Sequence, residues 1–181
     1  MVGAMLRIVC AVVLLAGACD REAANESASA PPATATAAAQ APAEPGPPPE
    51  VARPYEEGVD AQAAIDAAVA GADGKRVLLM FGANWCPWCR RLEHTFRNAP
   101  AVSAKLAEAY ELVHVDVGPR DSDRNREVAR RYGDPLSRGL PCLVVLDEEG
   151  EVAHVQETGS LEVGDRHDPA KVLAFLERWE R

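Results

Sequence analysis

The sequence has little positive charge for its length. Its 19 Lys and Arg residues are outnumbered by 28 Asp and Glu residues, so the formal net charge is -9. No cluster of basic residues interrupts this acidic composition. Because nucleic-acid binding depends on clustered Lys and Arg that neutralise phosphates, the composition argues against nucleic acid as a partner.

Long hydrophobic runs are also lacking. An apolar run from Ile8 to Ala16 follows Arg7 and is too short to cross a bilayer as a helix. This pattern predicts a secretory signal peptide over residues 1–18. Residues 15–19, Leu-Ala-Gly-Ala-Cys, resemble the lipobox of bacterial lipoproteins, which implies that Cys19 is lipidated and anchors the chain to a membrane. The alternative is that Cys19 is an ordinary residue of the signal peptide.

Aromatic and branched apolar residues are almost missing from residues 19–54, which are mainly Ala and Pro. Such a segment buries too little apolar surface to repay the entropy of folding, so we expect a disordered, semi-rigid tether. Residues 55–181 remain. They are numerous enough for one compact domain.

The main motif lies near the middle of the chain. The apolar run Val77–Phe81 has the length of a strand and stops at Gly82, and Cys86 and Cys89 then open a segment with helical spacing of apolar residues. A cysteine at a helix start is stabilised as a thiolate, which makes Cys86 the predicted nucleophile. Cys89 can then close a disulfide with it and release the captured group. The pattern predicts thiol–disulfide exchange, with a static structural disulfide as the alternative.

Other cysteine chemistry lacks the residues that it needs. The sequence has no second Cys-x-x-Cys to complete a zinc site, and Arg90 stands where covalent haem attachment requires His. We therefore expect no metal and no cofactor. The four histidines share no ligand spacing and are interpreted as surface or packing residues: His94, His114, His154 and His167.

The surrounding residues resemble the thioredoxin family. Trp-Cys-Pro-Trp-Cys at residues 85–89 is followed by Tyr-Gly at 132–133 and by Gly-Leu-Pro at 139–141, just ahead of the apolar run 143–146. The resemblance covers roughly residues 58 to 181. The motif Asn-Trp-Cys-x-x-Cys, followed by Glu93, is most similar to the motif of bacterial envelope thioredoxin-like proteins, including the C-terminal domain of the disulfide reductase DsbD.

This resemblance implies an α/β fold, a thioredoxin-like sandwich with a central mixed sheet and helices on both faces. It implies that the peptide bond before Pro141 is cis, that Pro141 faces the cysteine pair, and that Trp85 packs under the active site. The residues expected to bind substrate are Trp85, Pro87, Trp88, Leu140 and Pro141.

The resemblance also implies partners and direction. A monomer facing the periplasm would exchange disulfides with cysteine-containing envelope proteins and an upstream thiol donor, as a reductase or electron relay. The alternatives are an oxidase or isomerase, and a binding module whose disulfide is idle.

Periodicity and turn residues predict the remaining elements. We expect helices after Asp60, from about Cys86 to Arg97, over 101–110 and 125–132, and after Asp168, with strands over 111–117, 142–146 and 151–156. The segment 134–138 is expected to be a solvated loop inserted before Pro141, with substrate contact as the alternative.

Glu93 and Cys142 each allow two interpretations. Thioredoxin has a buried Asp six residues before its first cysteine, but this chain has Met80 there. Glu93 lies one helical turn after Cys89 and is the expected proton acceptor, the alternative being a solvent-facing side chain. Cys142 is expected to be a buried packing residue, with a third redox thiol as the alternative.

Overall fold

The computed structural model describes residues 53–181. The expected signal peptide, Cys19 and all but the end of the tether lie outside the described residues. Within residues 53–181, no helix combines the length and the apolar character needed to cross a membrane.

Five α-helices and six strands make up the regular structure of residues 53–181. The helices are α1 (Ala61–Gly71), α2 (Pro87–Asn98), α3 (Pro100–Ala109), α4 (Arg126–Arg131) and α5 (Pro169–Trp179). The strands are β1 (Arg76–Gly82), β2 (Tyr110–Asp116), β3 (Cys142–Leu146), β4 (Val152–Glu157), β5 (Glu162–Val163) and β6 (Arg166–His167). Short 3-10 helices cover Pro135–Arg138 and Gly159–Leu161.

The larger sheet has the strand order β2-β1-β3-β4. Strand β1 runs parallel to β2 and antiparallel to β3, and β3 runs antiparallel to β4. The register pairs Gly82 with Asp116 and Phe81 with Cys142. The ends of β1 and β2 therefore meet the start of β3 at one edge of the sheet, and the cysteine motif follows β1 at that edge.

Side chains of β1 alternate between two apolar layers, as the period of a strand requires. Leu78 and Met80 pack with residues of α2, α3 and α5. Val77, Leu79 and Phe81 pack on the other face with α1 and α4. The strand is buried on both faces, which explains why its sequence is a continuous apolar run.

Local signals fix the helix ends. The carboxylates of Asp60 and Asp168 each accept a hydrogen bond from an amide in the first turn of the helix that they cap. Helix α2 ends at Asn98, because Pro100 disfavours helical backbone at Ala99.

The structure confirms the predicted α/β fold with its mixed sheet. The expectation of a solvated loop over 134–138 is wrong in part, because Pro135–Arg138 forms a 3-10 turn in which Pro135 is buried. Tyr110 begins β2 and does not end the preceding helix. The short β5–β6 hairpin was not predicted, since two-residue strands carry no measurable alternation.

Candidate active site

Cys86 and Cys89 form a disulfide at the start of α2, with their Cα atoms 5.3 Å apart. Cys86 is the N-cap, its Sγ accepts a hydrogen bond from the Cys89 N–H at 3.2 Å, and Pro87 follows at the first helical position. Cys86 is 4% exposed, whereas Cys89 is fully buried. After reduction, the helix N-terminus stabilises negative charge at the Cys86 sulfur, the more accessible of the two.

Pro141 precedes β3 at the same edge of the sheet. The Leu140–Pro141 peptide bond is cis, which confirms the expectation. Because Phe81 pairs with Cys142, the antiparallel register places Pro141 opposite Gly82, at the end of the strand that leads to Cys86. The Pro141 carbonyl accepts a hydrogen bond from the Thr158 hydroxyl at 2.8 Å, which fixes this loop to the end of β4.

An arginine guanidinium lies over the ring of each tryptophan beside the cysteines. Trp85 is 36% exposed and donates its indole N–H to the Gly118 carbonyl at 2.7 Å, so the expectation that it packs under the site is wrong. The Arg120 guanidinium lies 4.2 Å from the centre of the Trp85 ring, and that of Arg91 lies 4.6 Å from the centre of Trp88. Both geometries are those of cation–π contacts.

A cleft of about 310 Å³ lies beside Trp85. Leu140 and Leu136 form part of its wall, and Pro119 to Ser122 form another part. The segment 134–138 thus borders the expected substrate-binding residues. A cleft of about 440 Å³ lies between α1 and β2, and neither cysteine lines either cleft.

Glu93 is buried, so the alternative of a solvent-facing side chain is wrong. Its carboxylate pairs with Arg97 and lies 2.8 Å from the Nε2 atom of His114. Burial alone raises the pKa of Glu93, but the hydrogen bonds and charges of His114 and Arg97 outweigh it and hold the pKa below its ordinary value. Glu93 is therefore ionised at neutral pH, one helical turn from Cys89.

The interpretation of His114 as a surface or packing residue is incomplete, because its ring packs against Tyr55 and also contacts the Glu93 carboxylate. One signal was present in the sequence. His114 and Asp116 occupy alternate positions of β2, and His114 is in register with Met80, whose side chain packs against α2. Polar residues on that face of a strand indicate a polar cluster beneath the helix.

His167 lies beneath the other tryptophan. It is 1% exposed, and its ring meets that of Trp88 edge-on at 5.4 Å. Burial and the charge of Arg91 lower the pKa of His167 to about 4, so the imidazole is neutral and packs as an apolar group. Its nearest acid, Glu162, lies 3.9 Å away, beyond hydrogen-bonding distance.

Cys142 is the free cysteine of the described residues and is fully buried. Its Sγ lies 3.2 Å from the Gln156 carbonyl. Burial raises the pKa of the Cys142 thiol to about 11, so the reactive thiolate is scarce at neutral pH. Among residues 53–181, no three His, Cys, Asp or Glu side chains lie close enough together to hold a metal ion.

Comparisons with known proteins agree with this geometry. A family model described as thioredoxin-like matches residues 60–148. The chain is 33% identical to thiol:disulfide interchange protein DsbD 2 of Pseudomonas aeruginosa over 114 residues, which is 62% of this chain and 17% of that protein. It is 33% identical to DsbD of Actinobacillus pleuropneumoniae over 107 residues, covering 59% of this chain and 18% of that protein. The chain thus spans less than a fifth of the length of these relatives.

Solved structures give a longer match. The crystal structure of disulphide isomerase from Xylella fastidiosa Temecula1 has a TM-score of 0.63 and 34% identity, covering 71% of this chain and 98% of that one. Fold, disulfide position and sequence similarity lead to one assignment. The chain belongs to the thioredoxin-like family of thiol–disulfide oxidoreductases.

Proposed function

We propose that this protein is a membrane-tethered, periplasm-facing thiol–disulfide oxidoreductase that acts as a reductase or electron relay for envelope proteins. The observation that carries the proposal is the Cys86–Cys89 disulfide at the N-terminus of α2, beside Pro141. Static disulfides have no need of a helix N-terminus that activates one sulfur.

In the proposed reaction, the Cys86 thiolate attacks a disulfide of the substrate. One substrate sulfur leaves as a thiolate, and the other is held in a mixed disulfide with Cys86. The Cys89 thiol then loses its proton to Glu93, and its thiolate attacks Cys86. The Cys86–Cys89 disulfide forms, the second substrate thiolate leaves, and two electrons have passed to the substrate.

The proposed substrate site comprises Trp85, Pro87, Trp88, Leu140 and Pro141. Trp85, the residue before Cys86, and Leu140 line the same cleft, and an extended peptide that continues from this cleft past Trp85 would reach the Cys86 sulfur. Backbone groups at Leu140 would pair with such a peptide as an added strand does. Arg120, stacked on Trp85, favours substrates with acidic residues near their cysteines.

The location rests on the sequence and on the relatives. The apolar run before Cys19 supports export and lipidation, and residues 19–54 would let the domain reach partners at a distance from the membrane. Two relatives carry the name thiol:disulfide interchange protein, which supports protein thiols as partners and donors.

Trapping tests the exchange reaction. A Cys89→Ser variant keeps the nucleophile but cannot resolve the mixed disulfide, so it should accumulate covalent adducts with envelope proteins. Cys86→Ser is the matched control and should trap few. Equal trapping by both variants, or by neither, would contradict the assignment of the nucleophile.

The direction is tested by the reduction potential. A reduction potential of about -270 mV is typical of a reductant, and one of about -120 mV is typical of an oxidant. An isomerase is the second candidate, because the Xylella fastidiosa structure carries that name. Reactivation of a scrambled disulfide protein by the reduced chain, without net reduction of native disulfides, would favour isomerase activity. An idle binding module would reduce neither insulin nor any other disulfide.

A further inference from the structure

Tyr55 lies before α1, outside any helix or strand, and its side chain extends to the active site. Gly82 ends β1, and a Cβ added there would lie 2.7 Å from Cys89 Sγ and would overlap the Tyr55 hydroxyl. The hydroxyl and the sulfur therefore lie against the same backbone atom. Because Gly82 has no side chain, the phenol occupies the space beside the buried cysteine.

Two sets of contacts hold Tyr55 in this position. Its backbone N–H donates to the Asn84 side chain at 3.2 Å, and the Asn84 amide donates back to the Tyr55 carbonyl at 2.7 Å. Asn84 lies in the turn that leads to Cys86. The ring of Tyr55 also packs edge-on against His114, with centroids 5.4 Å apart. The residue is thus fixed to the loop and to β2 together.

The hydroxyl of Tyr55 is buried and has no hydrogen-bond partner within the described residues. Leaving a buried donor unpaired is unfavourable. A disulfide sulfur is a weak acceptor for the Tyr55 hydroxyl. A thiolate sulfur is ionised and accepts a stronger hydrogen bond. The geometry therefore places an unused donor next to Gly82 alongside Cys89 Sγ, which becomes a strong acceptor when the disulfide is open and the Cys89 thiol has lost its proton.

The charged and titratable groups around Tyr55 keep its proton in place. Burial and the negative charges of Glu93 and Asp116 raise the pKa of Tyr55 well above its ordinary value. Glu93 faces it from α2, and Asp116 and His114 face it from β2. The phenol therefore keeps its proton at neutral pH and can act as a hydrogen-bond donor.

We propose that Tyr55 is a positioning residue that donates a hydrogen bond to the Cys89 sulfur when the disulfide is open. The inference rests on the proposed function and assigns one role within it. During resolution the Cys89 proton passes to Glu93, and the Cys89 thiolate, held by Tyr55, attacks Cys86. The Cys86–Cys89 bond forms as the bond to the substrate sulfur breaks, and Tyr55 keeps its proton throughout.

Tyr55→Phe removes the hydroxyl and keeps the ring. In the reduced protein this variant lacks the proposed hydrogen bond from Tyr55 to Cys89. In the oxidised protein it lacks only a hydroxyl that had no partner. We expect the equilibrium with glutathione, measured at a pH at which the reduced Cys89 is a thiolate, to shift about tenfold towards the disulfide, which for two electrons is about 30 mV more negative. We expect the pKa of Cys89, followed by NMR of labelled cysteine Cβ, to rise about one unit.

Tyr110→Phe is the matched control, since Tyr110 is also buried and its hydroxyl donates to the Leu176 carbonyl at 2.7 Å. It should leave the redox equilibrium and the Cys89 titration unchanged. A second measurement needs no variant: on reduction of the full chain, the Cζ resonance of Tyr55 should shift and that of Tyr110 should not.

Unfolding experiments separate this role from packing. Tyr55→Phe should destabilise the dithiothreitol-reduced chain and leave the oxidised chain at least as stable. Equal losses in both forms, or an unchanged redox equilibrium, would overturn the proposal. This comparison requires no protein substrate, so it tests Tyr55 even for a chain that fails to reduce insulin, a result that would instead refute the proposed function.

Discussion

Replacing Glu93 by Gln tests how the buried thiol loses its proton. The change keeps the shape of the side chain but removes the charge that pairs with Arg97 and His114. Cys89 is fully buried, so solvent has little access to its proton, and Glu93 is an ionised carboxylate one helical turn away. Loss of this acceptor should slow resolution of a Cys86 mixed disulfide.

The magnitude depends on the role of the carboxylate. Removing a positioned acid–base group costs about 10²-fold in rate, so we expect about that loss near pH 7. Because the pKa of Glu93 is held low, the carboxylate gives little driving force, and we expect the proton to move on to solvent. Raising the pH should largely restore the rate, since hydroxide can then replace the lost acceptor.

Stopped-flow fluorescence of Trp85 and Trp88 can follow the resolution of a preformed mixed disulfide from pH 6 to 9. Glu127→Gln is the control, because Glu127 also pairs with an arginine four residues later but is exposed. We expect no kinetic effect there. A change of less than about twofold in Glu93→Gln across this range would refute Glu93 as the proton acceptor.

The same variant has an effect on stability that depends on pH. The folded-state pKa of Glu93 is lowered, so the carboxylate contributes stability that is present above its ordinary pKa of 4.5 and is lost as the pH falls through the folded value. Glu93→Gln should remove this contribution. In urea titrations the wild type should lose more of its free energy of unfolding between neutral and acidic pH than the variant does.

Three other changes test the anchor and the fold. Cys19→Ser should move the protein from the membrane fraction to the soluble periplasm, and unchanged fractionation would refute lipidation. Gly82→Ala should lower the free energy of unfolding by about 1–3 kcal/mol in denaturant titrations, because the methyl group would overlap the Tyr55 hydroxyl and Cys89 Sγ. Asp168→Ala should cost about 1 kcal/mol through loss of the cap of α5, and an unchanged melting temperature would contradict that.

Much of the fold was predictable because its signals are local. Asp60 and Asp168 start helices by capping first-turn amides, and the apolar run over residues 77–81 is a central strand because both of its faces are covered. The cysteine pair and Pro141 were predictable for a related reason, since each motif lies directly beside an apolar strand that marks its position. Each of these features depends on residues that are close together in the sequence.

The missed features depend on contacts between distant parts of the chain. Glu93 was correctly placed one turn from Cys89, but it is buried and its carboxylate contacts His114, 21 residues later. The β5–β6 hairpin, with Gly164 at φ +63°, places His167 under Trp88, and two-residue strands leave no pattern to detect. No periodicity in the sequence encodes such pairings.

Tyr55 shows most clearly why sequence motifs predict only part of this active site. The thioredoxin-like match begins at residue 60, so Tyr55 lies outside it. The residue acquires its place only because Gly82 lacks a side chain and Asn84 binds its backbone. A group beside the reacting sulfur thus comes from a segment without regular structure, ahead of the first helix. The position of this group therefore follows from contacts between separate parts of the chain, which no local sequence pattern records.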